Sequence, residues 1–187
     1  MKLNEAQESA VTFVSGPCLV LAGAGSGKTR VITNKIAHLV RNCDMPARYI
    51  AAVTFTNKAA REMKERVAQT LGKPEARGLK VSTFHTLGLT IIKAHVKDLG
   101  LKPGFSLFDD KDSLSLLTDL TRETLDGDKD QLSLLQSCIS NWKNDLILPD
   151  ALLKQAQSTG EREFAEAYKR YQDNLKAYNA LDFDDLI

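Results

Sequence analysis

The sequence predicts an α/β fold, a parallel sheet with helices packed on it plus an inserted all-helical subdomain. Three observations carry that expectation. Strand-like and helix-like patterns alternate up to residue 85, a glycine-rich stretch separates the first apolar run from the helix behind it, and the pattern from residue 86 onward is almost entirely helical. Taken in order, Pro17–Ala22 (P-C-L-V-L-A) is a compact apolar run that reads as a buried strand. Lys28–Val40 follows with Ile32, Ile36, Leu39 and Val40 at helical spacing. Ile50–Phe55 (I-A-A-V-T-F) is a second strand, and Lys58–Leu71 is a helix with Ala59, Met63, Val67 and Leu71 on one face. Leu79–Ser82 supplies a third strand, and the β-α-β-α-β order implies parallel strands with right-handed crossovers. Beyond it, one stripe runs through Ile92, His95, Val96 and Leu99 to Gly100, and a second through Leu114, Leu117 and Leu120 behind an Asp109 N-cap. A third takes in Leu132, Leu135, Ile139, Trp142 and Leu146, Pro149-Asp150 punctuates it, and a fourth takes in Phe164, Tyr168, Tyr171, Leu175 and Tyr178. The expected division is residues 1–85 for the first part of the sheet domain, 86–178 for the helical insert and 179–187 for the return to the sheet domain.

The glycine-rich stretch, A-G-A-G-S-G-K-T-R from Ala22 to Arg30, has a defined chemistry. Between a strand and a helix, the first-turn N–H groups point outward and the helix dipole favours an anion. Gly23, Gly25 and Gly27, with Ala24 and Ser26 between them, allow the backbone to wrap phosphate oxygens, and Ala22 opens the nest. Lys28 is then placed to reach the β- and γ-phosphates of ATP, and Thr29 to hold Mg²⁺. The pattern G-x-x-x-x-G-K-[ST] is met except at its first position, where Ala22 stands. Kinases, GTPases and motor ATPases share such a loop, so nucleotide binding alone names no reaction.

Composition sets outer limits. With 43% hydrophobic and 26% charged residues, the chain has the make-up of a soluble globular protein rather than a collagen-like, disordered or disulfide-scaffold one. No run approaches a membrane span and the first ten residues hold no signal-peptide core, so a cytoplasmic location is expected. Cys18, Cys43 and Cys138 are widely spaced and suggest neither disulfides nor a zinc site. The net charge of +1 conceals 15 basic against 7 acidic residues over 1–100 and 10 against 17 over 101–187. A basic first half suits a polyanionic partner, although segregated solvated helix faces give the same count.

Further stretches resemble a known family. L-N-E-A-Q-E-S-A (Leu3–Ala10) is similar to the glutamine motif of superfamily-one DNA helicases, A-A-V-T-F-T-N-K-A-A-R-E-M-K-E-R-V (Ala51–Val67) to their motif Ia, and V-S-T-F-H-T-L-G (Val81–Gly88) to motif Ib. L-D-F-D-D-L-I at residues 181–187 resembles the segment that shortly precedes the Walker B strand. With the phosphate loop these match the UvrD/Rep group, and F-S-L-F-D-D and S-N-W-K-N-D extend the likeness from end to end. The resemblance implies a RecA-like P-loop NTPase sheet, incomplete over these residues, in an ATP-dependent 3′-to-5′ DNA helicase of replication or repair. It further implies that Gln7 reads the adenine edge, that Arg30 packs on the adenine, and that Thr56, Asn57, Thr83, His85 and Thr86 lie along single-stranded DNA.

The residues themselves allow that role without requiring it. Ligands of parallel sheets gather beyond the carboxyl ends of the strands, where Phe55–Asn57 and Thr83–Thr86 fall. Phe55 and Phe183 are the candidates for base stacking, with a strand-closing core residue and a helix-packing residue as the respective alternatives. His85 reads equally as a structural histidine. Asp182, Asp184 and Asp185 follow a helical stripe rather than an apolar strand, so Asp182 is expected to cap a helix rather than hold a metal. His38 and His95 have no partners at ligand spacing, and Trp142 is a core residue. The family's D-E-x-x-D segment and second motor domain are not within the sequence, so a fragment unable to hydrolyse ATP appreciably is expected, with an exposed sheet edge that favours dimerisation or swapping. A binding module for single-stranded DNA or protein without turnover, and a nucleotide kinase, remain the alternative readings.

Overall fold

The computed structural model describes residues 3–125 and 128–187, which divide into two compact units, Met1–Phe84 and His85–Ile187. Among the described residues no helix is long and apolar enough to cross a membrane.

In the first unit, α1 (Glu5–Thr12) starts behind Asn4, whose side chain accepts from the Gln7 amide while the Gln7 side chain accepts from the Asn4 amide. This reciprocal pairing satisfies two first-turn donors and fixes the start of the helix. Next come α2 (Lys28–Arg41), β1 (Ala51–Thr54), α3 (Asn57–Leu71) and β2 (Lys80–Thr83). β1 and β2 pair in parallel with Ala51 opposite Lys80 and Thr54 opposite Thr83. Ile36 and Ala37 of α2, Ala52 of β1 and Ile50 just before it, and Met63, Val67 and Leu71 of α3 close one core. That is the β-α-β crossover expected from the alternating pattern.

The expected first strand is not formed. Residues 17–22 carry no strand, and Leu19 and Leu21 are 84% and 87% exposed. A strand is stabilised by ladder bonds and cross-strand side-chain pairs, and the sheet of this unit consists of β1 and β2 alone among the described residues. An apolar run without a neighbour on either side has no ladder to join.

The second unit holds α4 (Phe84–Ala94, from His85 on), β3 (Ser106–Phe108), α5 (Asp110–Leu120), α6 (Arg122–Leu125), α7 (Lys129–Asn144), α8 (Pro149–Gln155), α9 (Thr159–Ala177) and β4 (Ala180–Asp182). Leu117, Leu135, Ile139, Ala167, Tyr168, Tyr171, Leu175 and Ala180 form its core. Trp142 is a packing residue as expected, its ring stacked on Tyr168 with centroids 5.7 Å apart. The all-helical expectation needs correcting, because β3 and β4 pair in parallel with Ser106 opposite Ala180 and Phe108 opposite Asp182. Strands of three residues are too short to leave a periodic signal. The first stripe also stops early: α4 ends at Ala94, since Ile92 is buried while Leu99 stays exposed, leaving no apolar face to continue the helix against.

Candidate functional site

The glycine-rich loop lies between the apolar run and α2. Gly25 and Gly27 have φ of +75° and +87°, in the left-handed region that a Cβ disfavours. Gly27 is the N-cap of α2 and provides no side-chain cap, and no acidic residue lies in the first turn. By contrast, Asn4, Thr56, Asp109, Asp128 and Ser158 accept from first-turn amides of α1, α3, α5, α7 and α9. The α2 start behind the glycines, like that of α8, has no side-chain cap, and its first-turn amides stay clear of side-chain acceptors.

The Lys28 ammonium folds back across the loop and donates to the carbonyls of Ala22 and Gly23 at 3.0 and 2.7 Å. Ser26 stiffens the same turn, its hydroxyl donating to the Gly23 carbonyl at 2.7 Å. Gln7 reaches the loop from α1, with Nε2 donating to the Ser26 carbonyl at 3.0 Å. A Cβ on Gly27 would lie 3.1 Å from that same Nε2, so the glutamine also fills the space left by the missing side chain. A cavity of about 210 Å³ opens here, lined among others by Gln7, Ala22, Ser26 and Lys28. Ala24 is exposed on the loop, while Thr29 and Arg30 are half-buried in the first turn of α2 and offer their carbonyls to Thr33 and Asn34. The cation, the outward amides and the left-handed glycines make a cradle suited to an anionic oxygen-rich group. α1 is tied to α2 by Lys35, whose ammonium donates to the Ala10 carbonyl at 3.2 Å and to the Phe13 carbonyl, a lysine satisfying the orphan acceptors of a helix C-terminus.

At the carboxyl ends of β1 and β2 the first unit presents aromatics. Phe55 is 89% exposed, which removes the core reading for it. Its ring lies 5.9 Å from that of Phe84. Both follow a threonine, and the two threonines, Thr54 and Thr83, are register partners. Phe84 escaped the sequence reading, although V-T-F and S-T-F at the ends of both strands are the signal that finds it. Thr56 caps α3 by accepting from the Ala59 amide at 3.1 Å, Asn57 is exposed in the first turn, and Thr83 is buried.

In the second unit His85 and Thr86 are exposed at the start of α4. The His85 ring meets the ring of Phe183 edge-on, with centroids 5.9 Å apart and planes at 67°. Phe183 is 43% exposed, so it is not a buried helix-packing residue. Asp182 beside it is buried and does accept from the Asp185 amide at 3.0 Å, while Asp185 accepts from the Asp182 amide at 3.0 Å, closing the short turn Asp184–Leu186. Both carboxylates also take the Lys143 ammonium, at 2.6 and 2.9 Å, and Tyr171 donates to Asp182 at 2.9 Å. Burial pushes the Asp182 carboxyl up, but Lys143 and the other donors outweigh it and leave it below the usual carboxylate range. For Asp185 burial and the Asp182 charge prevail over Lys143 and hold the group above that range. Burial and the Asp182 charge raise the Tyr171 hydroxyl well above its ordinary value, which keeps it a donor. Among the described residues no group of three or more His, Cys, Asp or Glu side chains is arranged to hold a metal.

Comparison with known proteins places these features in a family. The model described as UvrD/REP helicase N-terminal domain matches residues 3–187. Relatives include the ATP-dependent DNA helicase Rep of Escherichia coli (strain K12), 64% identical over 187 residues, which is 100% of this chain and 28% of that protein. Rep of Salmonella typhimurium is 63% identical over the same 100% of this chain, again 28% of the relative. The ATP-dependent DNA helicase PcrA of Leuconostoc citreum is 41% identical over 186 residues, 99% of this chain and 25% of that protein. The chain thus spans 28% of the length of the Rep relatives. With the family model matching residues 3–187, the chain belongs to the UvrD/REP helicase N-terminal domain family.

Proposed function

We propose that the chain is the ATP- and single-stranded-DNA-binding portion of a 3′-to-5′ ATP-dependent DNA helicase. Residues 1–85 form the first part of a RecA-like motor domain, 86–178 an insert and 179–187 the return towards the motor domain. The observation that carries the reading is the α2 start, where uncapped amides, left-handed Gly25 and Gly27 and the Lys28 ammonium converge. ATP would take the places of the Ala22 and Gly23 carbonyls as the partner of Lys28, exchanging neutral acceptors for charged phosphate oxygens, a stronger hydrogen bond. Thr29 would hold Mg²⁺, whose charge offsets that of the phosphates. Gln7 and Arg30 would meet the adenine, and Gly23, Ala24, Ser26 and Gly27 the phosphates. Phe55 and Phe84 would stack bases, Thr56, Asn57, Thr83 and Thr86 would contact the backbone, and His85 and Phe183 would make a second aromatic contact.

Titration of the chain with a fluorescent ATP analogue in the presence of Mg²⁺ tests the reading. Lys28→Ala is expected to weaken binding at least about tenfold, the loss of a charge-assisted contact of 1.5 kcal/mol or more. Equal affinity of the two proteins would overturn it. The 187 residues alone are expected to bind the analogue without appreciable hydrolysis, because positioning and charge stabilisation by the rest of the family's site supply most of the rate. In the intact protein the same substitution is expected to abolish single-strand-stimulated ATPase activity.

A further inference from the structure

The buried Lys143 network is absorbed neither by the phosphate loop nor by the direct DNA contacts. Lys143 and Ser140 lie three residues apart on one face of α7, and both face the turn that follows β4. Lys143 is 5% exposed and binds the carboxylates of both Asp182 and Asp185. Ser140 donates to Asp184 at 3.0 Å. Tyr171 joins the network from α9, its hydroxyl donating to Asp182 and pairing with the Ser113 hydroxyl, each at 2.9 Å. Every acidic side chain of D-F-D-D is therefore anchored to a helix. On its other side the turn touches α4 at Gly88, where a Cβ would fall 1.7 Å from the Leu186 carbonyl oxygen, a distance no side chain tolerates. Phe183 is the one member of the four-residue run without a polar anchor, and its ring projects to the edge of His85.

Such a network is an expensive way to hold a turn together. A buried cation bound to two carboxylates carries a net negative charge out of water, and apolar replacements of buried ion pairs are often no less stable. What the charges supply is a single register, since one ammonium meets both carboxylates only when the turn takes one conformation. We propose that Lys143 is a positioning residue, which by gripping Asp182 and Asp185 fixes the turn that holds the Phe183 ring against His85 ready to receive a base. The proposal rests on the reading of His85 and Phe183 as contacts to single-stranded DNA.

Two readouts on the 187-residue chain separate the proposal from that reading. The first uses no DNA. The chain has 3 histidines, so the ring protons of His85 are readily assigned by NMR, and the Phe183 ring shifts them. Phe183→Ala defines the shift without the ring, and Lys143→Met is expected to collapse it to nearly that value at temperatures where the chain stays folded. Should Lys143→Met fail to fold, Ser140→Ala removes the milder anchor and is expected to move the shift part of the way. A wild-type His85 shift in the folded variants would overturn the proposal, because a merely stabilising lysine lowers the melting temperature and leaves the ring in place. The second readout is anisotropy of a labelled oligothymidylate. Phe183→Ala and Lys143→Met are each expected to weaken binding by roughly tenfold, and the double variant no further. Additive losses would overturn action through Phe183. If Phe183→Ala leaves the affinity unchanged, the DNA reading and the base-receiving role fall, while the His85 shift still shows whether Lys143 sets the ring.

Discussion

Asp182 and Asp185 share one lysine yet are displaced in opposite directions, and that asymmetry predicts unequal effects of two similar substitutions. Asp182 has Lys143, Tyr171 and the Asp185 amide as donors, so its charged form is favoured in the folded chain. Its contribution is present above the ordinary carboxyl range and is lost as pH falls through the depressed folded value. Asp185 is the surplus negative charge, held above its ordinary value by burial and by Asp182. Its contribution has the opposite sign, present at low pH and lost as pH rises through the elevated folded value. Asp182→Asn removes the charged acceptor of Lys143, Tyr171 and the Asp185 amide and leaves Lys143 only a carboxyl held above its ordinary range, and is therefore expected to destabilise the chain by roughly 1.5–3 kcal/mol at pH 7, the range for hydrogen bonds to a charged group. Asp185→Asn leaves one cation facing one anion, and is expected to cost little at pH 7 and to flatten the decline in stability just above the carboxylate range. Urea denaturation of the three proteins from pH 4 to 7 checks both, and equal losses would refute the asymmetry. At this scale the sequence is legible where chemistry is local. Asp182 bonds the amide three residues on, but the N-cap of the turn that follows is Phe183 rather than Asp182, and Lys143 lies 39 residues away with nothing near Asp182 to announce it.

Helix starts were the most readable elements, because a cap is a local bargain between a side chain and amides two or three residues on. Asp109 does cap α5, accepting from the amides of Lys111 and Asp112, both at 2.9 Å. The hydrogen bond from the Asp112 amide leads the effects that hold its carboxyl below the ordinary range. Thr56 shows how one residue serves an element and a candidate interface together. Its hydroxyl accepts from Ala59 at the start of α3, on which Met63, Val67 and Leu71 depend for their place in the core. Thr56→Ala is expected to destabilise the chain by about 1 kcal/mol, and Thr56→Ser to restore most of it, as thermal melts would show. Full stability in the alanine variant would mean that the cap is not needed. Strands were legible in proportion to length and pairing. Ile50–Phe55 and Leu79–Ser82 resolve into β1 and β2 within a residue or two, whereas the triads of β3 and β4 leave no pattern, and Pro17–Ala22 has a strand's composition without a strand's neighbour.

That unpartnered run has a consequence for the molecule as a whole. Leu19 and Leu21 project almost completely into solvent, and Val20 and the neighbouring Phe13 and Val14 are also exposed. Single exposed apolar residues are ordinary, but several within one short extended segment make a patch of the kind that pairs with another chain. Backbone outside a ladder adds donors and acceptors along the same segment. The 187-residue chain is therefore expected to self-associate as its concentration rises, with sedimentation velocity showing a shift from monomer to dimer or larger species. Cys18 adjoins the patch and is exposed, as is Cys43, so the measurement needs a reductant to exclude disulfide-linked dimers. Leu19→Ser is expected to shift the chain towards monomer without altering the α2 start, whose left-handed glycines and uncapped amides do not depend on that side chain, and Leu19 lies outside the lining of the cavity beside it. The variant should thus keep its affinity for an ATP analogue while losing much of its tendency to associate. A wild-type chain that sediments as a single monomeric species at every concentration would show that the exposed run is silent, leaving the phosphate-loop reading untouched.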